Sequence, residues 1–599
     1  MIYHCEDHTC NYWDEGEKLP ERCPQCGRKL LRANETDMTG DDWTALGNTL
    51  WDAEASDKKR MVDCFRKAAY LGSAWGVCNL GICMEQGNGV EADPVQAFWL
   101  YQQAVEMGSL NAVCCLGVCY QYGIGTAPDA EKAAELYCKA AEYGSPRGQM
   151  LLARAFHDGI GVEADAAEAV HWVRAAAYQR YGEGMYRLGV CYEYGDGVEQ
   201  NWEHAVHWFR EAAESGVSTA MTDLGYCYEK GCGVEQSWEQ AFSWYRRGAE
   251  CGDLRSMHNL GYCYEKGCGV EQSWEQAFSW YRRGAECGYP VSMSNLGLCY
   301  KRGYGVEQNW QEAVKWYEQG AQCGHLQSMD NLAYCYEYGE GVEQNEDRAL
   351  YWYRRGAEAG SDYCMYCLGW NYSNGEGVEQ NMTEAIRWYT AAAEGGNADA
   401  MHDLGWHYDH GEGVEQDMKK AICWYERAAE QNHPAAMNSL GECYAMGRGV
   451  PRDLETAMEW YRRAAELGEA MADYNMGWHL EQAGKLSEAY AHYRKAADGN
   501  DDSAWWALGR FYENGVVVAQ DGKEARRCYE TGEKLGSVKC KMRLARCKLL
   551  GIGGRRAKKA GLDLCRQALE LAKESSEKED YGYEAEMNLL RRTIAENES

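Results

Sequence analysis

Apolar residues recur along this chain at spacings of three and four, and the whole pattern then recurs every 36 residues. Met257, Leu260, Gly261 and Tyr264 form one apolar stripe, which predicts a helix, called A below. It should stop at Gly267-x-Gly269, because glycine takes the left-handed conformation that closes a helix. A second helix, B, should open at Ser273, with Gln276 three residues on at capping-box spacing. The stretch Leu260–Gly288 copies Leu224–Gly252 letter for letter. Looser copies run in both directions, and a period of this length signals a stacked repeat.

The cap position fixes the register. Steps of 36 from Asp93 give Asp129, Asp165, Asn201, Ser237, Ser273, Asn309, Asn345, Asn381, Asp417 and Asp453, all favoured N-cap residues. Pro94 follows the first, at the position where proline suits a helix best. Helix B carries a small residue, such as Ala241 or Ala277, where helices must approach closely. Three residues later stands an aromatic pair, such as Trp244-Tyr245, which reads as packing between hairpins. Counting the helix A leucine from Leu46 to Leu544, with Met476 standing in once, gives about fifteen units.

This pattern resembles the Sel1-like repeat, a relative of the tetratricopeptide repeat with a longer loop containing Gly-x-Gly, over roughly residues 43–575. The resemblance implies an all-α fold, a right-handed superhelical solenoid whose inner groove is lined by helix A. The expected organisation is a zinc-ribbon segment at 1–34, the solenoid at 35–575 and a capping helix at 576–599.

In that register the groove positions lie two before, two after and five after the helix A leucine. Two after gives Tyr334, Trp370, Trp406 and Trp478; five after gives Glu337 and Asp409; two before gives Asp330, Tyr366 and His402. Rings with carboxylates suit an extended peptide that has apolar and basic side chains.

Net charge adds to this. At -32, the chain repels nucleic acid phosphates and anionic membrane surfaces and attracts basic partners. One local exception, the basic run Lys539, Lys541, Arg543, Arg546, Lys548, Arg555, Arg556, Lys558 and Lys559, is a candidate surface for an acidic partner or for self-association with the acidic groove of a second copy.

Two groups stand out among the 29 cysteines. Cys191, Cys227, Cys263, Cys299 and Cys335 keep one repeat position and read as small core residues. Cys5, Cys10, Cys23 and Cys26 precede the repeats and resemble a zinc-ribbon or rubredoxin-like knuckle. Four thiolates at such spacing would hold one structural Zn2+, with His4 and His8 as alternative ligands beside Cys5 and Cys10. The start MIYHCEDHTC has neither the basic nor the apolar region of a secretory signal, so cytoplasmic residence and reduced thiols are expected.

No metalloprotease helix, phosphate-binding loop or nucleophile elbow is present, and the Gly-x-Gly elements follow helices, unlike dinucleotide fingerprints. The resemblance to Sel1-like repeats implies a non-enzymatic scaffold that binds a protein or peptide in the solenoid groove. The alternative is a regulatory factor whose zinc ribbon touches nucleic acid while the repeats recruit a partner.

Overall fold

The computed structural model describes residues 2–5, 13–15, 30–33, 38–51, 55–578 and 584–598. From Ala74 to Leu550 nearly every helix is thirteen residues long, as in the A helix Leu254–Lys266 and the B helix Trp274–Glu286. Gly267 closes the A helix at φ +72, and its N–H returns to the Cys263 carbonyl at 2.9 Å. Gly269 is required for a second reason: a Cβ there would stand 2.2 Å from the Trp238 carbonyl oxygen of the preceding B helix. The loop can therefore lie flat on its neighbour only without a side chain.

All eleven expected N-caps accept a hydrogen bond from the backbone of the first helical turn. The capping box itself is only half formed. Ser273 accepts from the Gln276 N–H at 3.3 Å, but its hydroxyl donates to Glu275, two residues on, at 3.1 Å.

The chain divides into two units, Met1–Gln308 and Asn309–Ser599. The first contains seven hairpins, from the helix Gly40–Thr49 through Trp274–Glu286, and then the A helix Pro290–Arg302. The second opens with the B helix Trp310–Gln322 and continues with seven hairpins, from Leu326–Tyr338 through Lys558–Lys578. Among the described residues the A helices number fifteen, matching the count of units. In both units A packs on B and B on the next A, and A helices also touch the next A helix, as Leu110–Tyr122 touches Pro146–Asp158 and Asp502–Asn514 touches Val538–Leu550. The A layer is thus the crowded, inner layer of each stack.

Near the start, Ile2–Cys5 pairs antiparallel with both Trp13–Glu15 and Leu30–Ala33. Cys10, Cys23 and Cys26 lie outside the described residues.

Most hairpins are built around a ring lying over a glycine. Tyr281 is fully buried, and a Cβ on Gly261 would come within 2.6 Å of its ring. The same pair recurs as Gly225 with Tyr245 and Gly441 with Tyr461. The paired tryptophans are packing residues as expected: Trp244 is buried and carries the Arg247 guanidinium over its face at 4.3 Å.

The last helix, Glu584–Glu598, closes the second unit; the preceding helix, Lys558–Lys578, runs past the expected boundary at 576. Arg543 grips Glu586 of this last helix through two hydrogen bonds, 2.6 and 2.7 Å long.

Candidate protein-binding face

The row two residues after the A helix leucine remains open in the second unit. Trp370, Trp406 and Trp478 are 45%, 37% and 38% exposed, and Tyr334 is half-buried. The row is wider than the sequence reading foresaw, because the residue four further on extends two of the platforms. Tyr338 packs at a tilt on Tyr334 with centroids 4.6 Å apart, and His410 stacks on Trp406 at 4.3 Å. The i, i+4 spacing on one helix face was the available signal for both. In the first unit Tyr226 and Tyr262 hold the same place, with Lys230 and Lys266 over their rings.

The acidic column behaves differently. Glu337 accepts a hydrogen bond at 2.6 Å from Tyr353, the buried tyrosine of its own hairpin. Tyr245 with Glu229 and Tyr281 with Glu265 repeat this tie at 2.8 Å. Asp409 is buried, and its carboxylate is paired with Arg448 at 2.9 Å. This corrects the expectation that Asp409 faces a ligand: its partner arrives from the next Gly-x-Gly loop.

The column two before the leucine is likewise turned to packing. Asp330 is buried and accepts from Ser361 Oγ at 2.7 Å and Cys364 Sγ at 2.9 Å. Tyr366 donates to Asp403 at 3.2 Å. His402 also meets Asp403, at 3.0 Å, and stacks on His433. Of the nine residues expected to bind a partner, the three tryptophans are exposed, Tyr334, Glu337, Tyr366 and His402 are half-buried, and Asp330 and Asp409 are buried.

A further rule emerges from the loops. The central residue of Gly-x-Gly reaches back to the position five after the leucine in the preceding hairpin. Asp196 meets His157 at 3.3 Å, and Arg448 meets Asp409. Both junctions bring opposite charges together when the histidine is protonated. At Trp370 the junction joins like charges instead, Glu337 and Glu376. Burial raises the Glu337 carboxyl first, and the nearby Glu376 raises it further, against the Tyr353 hydrogen bond. Glu376 is exposed, as is Glu412, the loop residue next to Trp406 along the stack. An added cation would relieve the Glu337–Glu376 repulsion.

The repeat cysteines are core residues. Cys227, Cys263, Cys299 and Cys335 are buried, Cys191 is half-buried, and burial pushes the Cys227 thiol up to about 12. Such thiols are inert at neutral pH. Among the described residues no group of three or more histidines, cysteines or carboxylates is placed to hold a metal. No described helix is long and apolar enough to cross a membrane.

Three arginines of the basic run near the end are engaged within the fold, while Arg555, Lys558 and Lys559 remain exposed. Arg543 and Arg546 both bond Glu513, Arg543 also holds Glu586, and Arg556 donates to Asn597 at 2.6 Å.

Comparison with known proteins agrees with this architecture. The Sel1 repeat model matches thirteen times between residues 76 and 537, from 76–109 to 504–537. A protective antigen present in uropathogenic Escherichia coli strains, displaying an SLR fold, is 32% identical with a TM-score of 0.53, covering 75% of this chain and 97% of its own. A Sel1 repeat protein from Oxalobacter formigenes is 27% identical with a TM-score of 0.42, covering 51% of this chain and 89% of its own. No curated protein sequence matched.

Proposed function

The chain belongs to the Sel1 repeat family, and from the open rings on its A helices we propose that it is a non-enzymatic scaffold that binds an extended peptide segment of a partner protein. Trp370 and Trp406 carry this reading. They occupy one repeat position in successive hairpins and leave 45% and 37% of their surface in water. Exposed indoles in a row provide apolar contact area at low entropic cost. The Glu337–Glu376 junction, near the Tyr334–Tyr338 pair of the same row, supplies negative charge, so the segment should pair an apolar side chain with a lysine or arginine. The net charge of -32 draws such a segment in from a distance.

The test is selection from a displayed peptide library, comparing wild type with Trp370→Ala/Trp406→Ala and with Glu376→Lys. Wild type should enrich peptides having a basic residue near an apolar one, and both variants should lose them. Equal enrichment by the tryptophan variant would move the binding surface elsewhere.

The N-terminal segment forms the second part of the reading. Cys5, Cys10, Cys23 and Cys26 hold one structural Zn2+, a reading supported by their spacing alone. Native mass spectrometry should find one zinc per chain, lost in Cys23→Ser/Cys26→Ser.

A further inference from the structure

In eleven B helices, from Tyr101 to Tyr529, a fully buried tyrosine fills the same place. The hairpin formed by Pro146–Asp158 and Ala166–Tyr178 breaks the rule. Val173 stands where the tyrosine belongs, and Ala153 replaces the glycine beneath it. A phenol has been exchanged for an isopropyl group, and one added methyl does not refill the space.

A cavity of about 590 Å³ adjoins these two residues and opens towards the next A helix, Gly182–Tyr194. Its apolar lining, Ala153, Ala169, Val170 and Val173, is buried. The charged lining residues Arg147, Arg154, His157 and Arg187 are exposed, so they form the mouth. The volume is within the range of small-molecule sites, roughly 300–1,000 Å³.

The mouth charges are unevenly used. His157 lies between Asp158 at 2.7 Å and Asp196 at 3.3 Å, and Arg154 also bonds Asp158, at 3.3 Å. These groups largely satisfy one another. The hydrogen bond to Asp158 above all, then the charge of Asp196, raises the basicity of His157 against its partial burial. Arg147 and Arg187 make no ion pair among the described residues; Arg147 donates its hydrogen bond to Cys115 Sγ at 3.5 Å. Even counting Glu183, the lining is net positive when His157 is protonated, within a chain of net charge -32.

His157 also stands at the helix A position that accepts the tyrosine hydroxyl elsewhere, as Glu85 does from Tyr101 and Gln121 from Tyr137. A ring placed beside Val173 would therefore face a cation where the other hairpins present an acceptor.

We propose that this cavity is a binding site for a small aromatic acid, one ring of phenol size bearing a carboxylate. The ring takes the space the missing tyrosine leaves beside Val173 and Ala153. The carboxylate meets Arg187 and Arg147 at the mouth, where a guanidinium fork matches its two oxygens.

The probe is 4-hydroxyphenylacetate, titrated into the full chain by calorimetry, with neutral p-cresol and cationic benzylamine in parallel. Ala153→Gly/Val173→Tyr restores the arrangement of the neighbouring hairpins, so it should fold while filling the cavity. Arg147→Gln/Arg187→Gln changes only exposed positions. The acid should bind wild type, weaken about tenfold or more in the filled variant, and weaken about fivefold in the arginine variant. p-Cresol binding should be lost in the filled variant and unchanged in the arginine variant. The proposal is overturned if the acid does not bind wild type at millimolar concentration, if the filled variant binds it equally, or if benzylamine binds as tightly as the acid.

Discussion

Tyr353 holds Glu337 from within the hairpin: a fully buried phenol donates across 2.6 Å to a half-buried carboxylate on the paired helix. Since a hydrogen bond to a charged group contributes about 1.5–3 kcal/mol, Tyr353→Phe should lower stability by about 2 kcal/mol without opening a cavity. Urea unfolding of wild type and variant reads this directly. Phe209 is a natural precedent, a buried ring at the same position with no hydroxyl to donate to Glu193. An unchanged midpoint would mean that Tyr353 serves through its ring alone.

The hairpins, their caps and the open tryptophan row were legible in the sequence because each depends on residues within one helix or one loop. Helical periodicity and cap chemistry act over that range. The fates of Asp409 and Asp330 were not legible, since their partners Arg448 and Ser361 come from the following hairpin, 39 and 31 residues away. Periodicity shows which face a side chain is on, but not what the neighbouring repeat places opposite it. The inward turn of Arg543 was hidden for the same reason, with Glu586 lying 43 residues on. The exchange of Gly and Tyr for Ala153 and Val173 was visible as a break in two columns, yet its consequence, a cavity, required the packing.

Asp501 gives the second unit a pH dependence. It caps the helix Asp502–Asn514 through the Ala504 N–H at 2.6 Å, and burial raises its carboxyl from 3.8 to about 6. Between those values the unfolded chain has lost the proton that the folded chain retains. The contribution of this group is thus full below about pH 4 and is lost as pH rises through about 6. Asp501→Asn keeps a good N-cap without the buried charge. The variant should match wild type near pH 4 and exceed it by about 3 kcal/mol at pH 7. Urea midpoints across this range would check the claim, and parallel curves would show that Asp501 is not responsible.

Glu586 secures the closing helix. Its side chain is only 7% exposed and is held by Arg543, itself 14% exposed. Glu586→Gln removes the charge while keeping the shape, leaving a largely buried guanidinium with Glu513 alone. The expected cost is about 3 kcal/mol. Hydrogen exchange should localise it to Val538–Leu550 and Glu584–Glu598. Lys559→Gln, at an exposed position, should leave both helices unchanged.

Val517 stands where the Gly-x-Gly loops have their second glycine, and it adopts that glycine's backbone, with φ at 66. A β-branched residue in the left-handed region costs roughly 1–2 kcal/mol. Its side chain is 48% exposed, so little packing offsets that strain. Glycine relieves the strain but loses more entropy on folding, by about 0.5–1 kcal/mol. Val517→Gly should therefore stabilise the hairpin by up to about 1 kcal/mol. The gain should appear as slower amide exchange in Gly522–Lys534, the helix that follows the loop. Faster exchange would mean that the half-buried face of the valine contributes more than the backbone strain removes.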